Sequence, residues 1–192
     1  MEGATEADYV NLIRREERLR LVEIVSIPEA GVPKTVVEVA VEEMRKAARD
    51  ARRMRDDNLK YDEVWCVFDV DEHPDLAAAK DQARANGLHV AISNPCFELW
   101  LLLHFQDQSA HLHRDVLRRR CTDDHLPSYA KRITDEIYAV LAPRYADAVR
   151  RATALDAWHA TRGTEGENPS TRVYKLTERL AEVAKSQDFR EP

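Results

Sequence analysis

A run of ten residues, Glu63-Val64-Trp65-Cys66-Val67-Phe68-Asp69-Val70-Asp71-Glu72, constrains this chain more than any other. Its apolar part is β-branched and aromatic without a helical period, so it reads as a strand buried on both faces, ending in two aspartates one residue apart. Side chains alternate along a strand, so Asp69 and Asp71 point to the same side and their carboxylates converge. Two such charges repel unless a cation or a proton lies between them. Hard oxygen ligands suit Mg2+ or Mn2+, and the stretch therefore points to a metal site at the carboxyl end of a strand.

The residues beyond the aspartates set the fold class. After a His73-Pro74 bend, an alanine-rich segment over residues 75–86 reads as a helix stopped by Gly87, and Leu88-His89-Val90-Ala91-Ile92 is a second short strand. Strand, helix and strand within about thirty residues make a βαβ unit, whose strands run parallel. The expected fold class is α/β, with a mostly parallel sheet flanked by helices. Upstream, Thr5 is placed to cap a first helix, residues 21–27 read as a strand, and Thr35 is placed to cap a helix whose Val37, Val41, Met44, Ala48 and Ala51 share one face. Downstream, Ser93-Asn94-Pro95-Cys96-Phe97-Glu98-Leu99-Trp100-Leu101-Leu102-Leu103-His104-Phe105 predicts a helix beginning near Pro95, apolar almost all round and hence deeply buried, with Glu98 in its first turn. Residues 106–126 read as polar loops with a short helix, 131–141 and 143–161 as helices, and 162–169 as a loop. A last helix comes after that loop, capped by Ser170 or Thr171.

At 192 residues the chain is expected to form a single domain, with residues 1–105 as the α/β core and 106–192 as a mainly helical extension. A net charge of −6 argues against coating nucleic acid by bulk charge, but leaves room for a local basic groove. Arg45, Arg49, Arg52 and Arg118 to Arg120 are candidates for phosphate contacts; a solvated helix face explains any one of them as well. No apolar run approaches the roughly 20 residues of a membrane span and the first residues carry no signal segment, so a cytoplasmic protein without membrane contact is expected. With five glycines and no phosphate-cradling loop, a P-loop ATPase is excluded. Three widely spaced cysteines, Cys66, Cys96 and Cys121, read as reduced, buried thiols. Among the histidines, His111 and His113 fall in a surface loop, His104 packs at the end of the buried helix, and His73 alone stands where an acid–base or phosphate contact would be useful.

The residues also carry a likeness. Glu2-Gly3-Ala4-Thr5-Glu6, the strand ending in Asp69-Val70-Asp71, the stretch from Ser93 to Phe105, and Asn168-Pro169-Ser170-Thr171 with Val173 just after it resemble, in order and over nearly the whole chain, the RloB-like family. The resemblance implies a Toprim-like, Rossmann-related fold and a role in bacterial restriction and phage-defence loci. It implies that Glu2 is the first-motif glutamate and that Asp69 and Asp71 are the metal aspartates, with Glu98 at a further family position. In that family a hydrophobic strand leads into the Glu-Gly motif; here only Met1 precedes Glu2, so that strand is expected to be missing from the sheet.

Together these readings lead to the expectation of a nuclease that hydrolyses DNA or RNA, transfer RNA included, in antiphage or abortive-infection defence. Glu2, Asp69 and Asp71 would hold Mg2+ or Mn2+, and Glu98 would complete the shell or act as base. The alternative is a non-catalytic subunit that binds nucleic acid or nucleotide and regulates a complex of defence-system proteins. Nucleotidyl transfer on the same metal site is a third possibility.

Overall fold

The computed structural model describes residues 1, 3–27, 32–70 and 75–188. Eight α-helices and three strands are assigned among them, in the order α1 (Ala4–Glu16), α2 (Pro33–Met54), β1 (Trp65–Asp69), α3 (Leu76–Ala85), β2 (His89–Asn94), α4 (Glu98–Leu103), α5 (Arg114–Arg120), α6 (Asp135–Leu141), α7 (Tyr145–Ala160), β3 (Ser170–Thr171) and α8 (Val173–Asp188). The expected βαβ unit is present: β1 and β2 are parallel neighbours, with Trp65 opposite His89 and Asp69 opposite Ser93.

Alternation along β1 divides the interior. Cys66 and Phe68 face a smaller core built with Val36, Val37 and Val41 of α2 and Ala79 and Ala83 of α3. Val67 and its register partner Ala91 face a larger core of α1, α4, α7 and α8. Helix α4 is the centre of that larger core, and each of its six residues is buried. Trp100 there meets Tyr9, His104 and Tyr145 edge-on, with ring centroids 6.3, 4.9 and 6.3 Å away.

The sheet is smaller and less parallel than the sequence suggests. It has three strands in the order β1-β2-β3, and β3 is a two-residue antiparallel addition, Thr171 opposite Ser93 and Ser170 opposite Asn94. Residues 21–27 carry no assigned strand and join no ladder among the described residues; Met1 meets them with two hydrogen bonds, Met1 N to Val25 O and Ile27 N to Met1 O, both 3.0 Å. β-branched composition favours extended backbone, whereas a strand also needs successive residues to pair with.

Several helix starts differ from expectation for local reasons. α1 takes Gly3 as its N-cap, and Thr5 lies inside the first turn. α2 starts at Pro33, whose missing N–H suits the first helical position, ahead of Thr35. α4 begins at Glu98, three residues past the cis peptide Asn94–Pro95. α6 begins at Asp135 under a Thr134 cap, whose hydroxyl accepts the Ile137 amide at 3.3 Å. Thr171 accepts the Val173 amide at 3.4 Å, so it serves the start of α8 while pairing in β3. Two loops are clasped together: the Asn168 side chain donates to the Leu112 carbonyl at 2.9 Å and accepts the Leu112 amide at 3.1 Å.

Candidate functional site

The first turn of α1 reaches the first turn of α4 through Tyr129, and α4 follows directly on the carboxyl end of β2, which lies beside that of β1. Asp69 ends β1 half-buried and has the parity of Val67, which places it on the sheet face that carries α1 and α4. Its position is fixed by pairing: the Val70 amide donates to Ser93 O at 2.7 Å, and the Ser93 hydroxyl lies 3.0 Å from that of Thr171. Cys96 is fully buried beside this edge, and its thiol pKa is pushed up, first by burial and then by the Glu98 and Asp69 carboxylates. Burial likewise pushes Cys66 up to about 11 and Cys121 up to about 12. All three thiols are free and buried, and none has the lowered pKa of a nucleophile.

Glu98 is the most constrained acid of the region. It is 5% exposed, and its Oε1 accepts the Tyr129 hydroxyl at 3.0 Å and Arg118 Nε at 3.3 Å. A buried carboxylate is costly unless paired and hydrogen-bonded, and here it is both. Its backbone carbonyl also receives the Cys121 thiol, 3.3 Å away. Tyr129 in turn lies 3.2 Å from the Thr5 hydroxyl, and Thr5 donates to the Lys131 carbonyl at 2.9 Å. The Tyr129 pKa is raised, by burial first and then by the charge of Glu98, so the phenol remains the proton donor of the pair. Glu6, also buried, occupies the first turn of α1 with its carboxylate over Gly3; a Cβ at residue 3 would overlap its Oε2.

Glu2 and Asp71 lie outside the described residues, as do Glu72 and His73. Among the described residues no three histidine, cysteine or acidic side chains form a group able to hold a metal ion. Asp69, a hard carboxylate on a half-exposed strand end, suits one position of an oxygen shell for Mg2+ or Mn2+. His111 and His113 are exposed in the loop before α5, where His113 Nδ1 accepts the Asp115 amide and caps the helix.

The candidate phosphate contacts separate into two groups. Arg45 on α2 reaches Asn86 Oδ1 at 3.4 Å, beside the amino end of β2. Four steps of about 3.3 Å separate the two ends of β1, which sets that end roughly 13 Å from Asp69. Arg118 touches the site directly through Glu98, whereas Arg120 is turned to Gln108 Oε1 at 3.1 Å. Sequence reading singles out Arg118 but misses Thr5, Glu6 and Tyr129 as members of this region. Glu6 had a usable signal, an acid three residues after the N-cap position. Tyr129 had none, because what brings it to Glu98 is the path of the chain between α5 and α6.

No curated protein and no solved structure matches the chain. Residues 1–180 match the family described as RloB-like protein. That span takes in α1, the β1–α3–β2 unit, the buried helix α4 and the first half of α8, and the chain belongs to the RloB-like family.

Proposed function

We propose that this RloB-like chain is a metal-dependent nuclease that hydrolyses phosphodiester bonds of DNA or RNA in bacterial defence against phage. The observation that carries the reading is the placement of Asp69 at the carboxyl end of β1, on the face of the sheet that packs against α1 and α4. Open α/β sheets take their ligands at that end of their strands. In this reading the fold is Toprim-like, and Glu2 and Asp71 join Asp69 in holding Mg2+ or Mn2+. The ion, when bound, supplies Lewis-acid polarisation of the phosphate and a water acidic enough to attack near neutral pH. Asp69 would hold the ion from the strand end, while Glu98 keeps Arg118 aimed along the site and Arg118 offers a cation to a neighbouring phosphate.

A second reading is favoured by the state of Glu98, whose Oε1 is already committed to Tyr129 and Arg118. It is a non-catalytic nucleic-acid- or nucleotide-binding subunit of a defence complex. One experiment separates the two. Purified chain is incubated with single- and double-stranded DNA, messenger-like RNA and transfer RNA, with and without Mn2+, alongside the Asp69→Ala, Asp71→Ala double variant. Metal-dependent cutting that disappears in the variant is expected and identifies the substrate class. Retention of binding without cutting by either protein would move the assignment to the regulatory subunit.

A further inference from the structure

We infer that Tyr129, together with Thr5 and Glu98, is a positioning residue that holds the first turn of α1 in register with the first turn of α4, beside the carboxyl ends of β1 and β2. The inference rests on the nuclease reading for its catalytic meaning, but the positional claim stands on geometry. Four side chains from separate segments form one hydrogen-bonded path: Arg118 to Glu98 at 3.3 Å, Glu98 to Tyr129 at 3.0 Å, and Tyr129 to Thr5 at 3.2 Å. Thr5 and Tyr129 are 124 positions apart in sequence, and Glu98 and Tyr129 31 apart, so no local constraint brings them together.

The available hydrogens order the path. The guanidinium can only donate, and the carboxylate of Glu98 accepts both from it and from the phenol. Tyr129 therefore commits its hydrogen to Glu98 and can only accept from Thr5, whose single hydrogen is shared with the Lys131 carbonyl 2.9 Å away. Each donor is tied to named acceptors, so a shift of α1 along its axis breaks a specific bond. The surrounding core is apolar, with Leu99, Leu101, Leu117 and Leu126 almost fully buried, and phenylalanine would fill the space of Tyr129 without desolvating a hydroxyl. A polar path is costly there unless fully satisfied, and what it fixes is the relation of the Glu6-bearing turn to the first turn of α4, which follows directly on β2, the parallel neighbour of the strand that ends in Asp69.

The test uses full-length Tyr129→Phe and Thr5→Val, singly and together, with two readouts. Hydrogen exchange of the α1 first-turn amides, residues 4–8, is expected to accelerate in each single variant, with the double variant showing less than the sum of the two effects, because both cut the Thr5–Tyr129 link. Under the nuclease reading, the Mn2+ concentration giving half-maximal cleavage is expected to rise about tenfold, with the rate at saturating metal kept within about twofold. Unchanged exchange in both variants would overturn the inference, and so would an unchanged Mn2+ midpoint in a cleaving enzyme. If the unmodified chain cleaves nothing, the nuclease reading falls, and the exchange data alone decide the positional claim. Should Tyr129→Phe fail to fold, Thr5→Val carries both measurements.

Discussion

His104 shows how burial turns one side chain into a source of pH dependence. It is 1% exposed, its Nδ1 lies 2.9 Å from the Trp100 carbonyl, and burial lowers its pKa to about 4. Between about pH 6.5 and pH 4 the unfolded chain takes up a proton here that the folded chain refuses, so stability falls as pH falls through that window, by roughly 3 kcal/mol in all. Urea midpoints measured from pH 7 to 4.5 are expected to drop more steeply for the wild type than for His104→Gln. Equal slopes would remove His104 as the cause. The same scale explains two misreadings of sequence. Thr5 has the composition of a cap, yet Gly3 takes that role, and the Glu6 carboxylate sits over it in the space a Cβ would occupy. Tyr129 carries no periodic or motif signal, because its function lies in a partner far away in sequence.

At the scale of elements, α4 carries the largest apolar load per residue. It has only six residues, too few to be stable alone, and exists because Leu99, Trp100, Leu101, Leu102 and Leu103 are enclosed by neighbours on every side. Leu101→Ala is expected to destabilise the protein by about 3 kcal/mol, from lost burial and the cavity left behind; a loss below about 1 kcal/mol in urea unfolding would show that the site collapses freely. This helix was legible in sequence, as was the βαβ unit, since an all-round apolar run and a strand–alanine-rich–glycine–strand order are local patterns. Strand β3 was not: two residues, Ser170 and Thr171, hold no period, and their pairing depends on the positions of Ser93 and Asn94. Residues 21–27 show the converse, because a strand-like composition does not by itself guarantee a ladder.

Across the whole molecule, the two parts suggested by sequence, residues 1–105 and 106–192, share a single large core. It runs from Tyr9 and Leu12 of α1 through α4 to Leu155 of α7 and Val173, Leu176 and Leu180 of α8. A fragment ending at residue 105 would expose α4 on the sides covered by α5 and α7, and is expected to show no cooperative thermal transition by circular dichroism. A sharp transition in that fragment would establish an independent α/β unit. Asn168 adds a last tie across these parts. Its amide treats Leu112 as one strand treats another, giving a hydrogen and taking one from the same residue. Aspartate has no hydrogen to give and leucine can do neither, while glutamine carries its amide one carbon too far out. The clasp is thus written in a two-word vocabulary of which asparagine alone speaks both at the right reach, and it yokes the turn ahead of α5 to the turn ahead of β3.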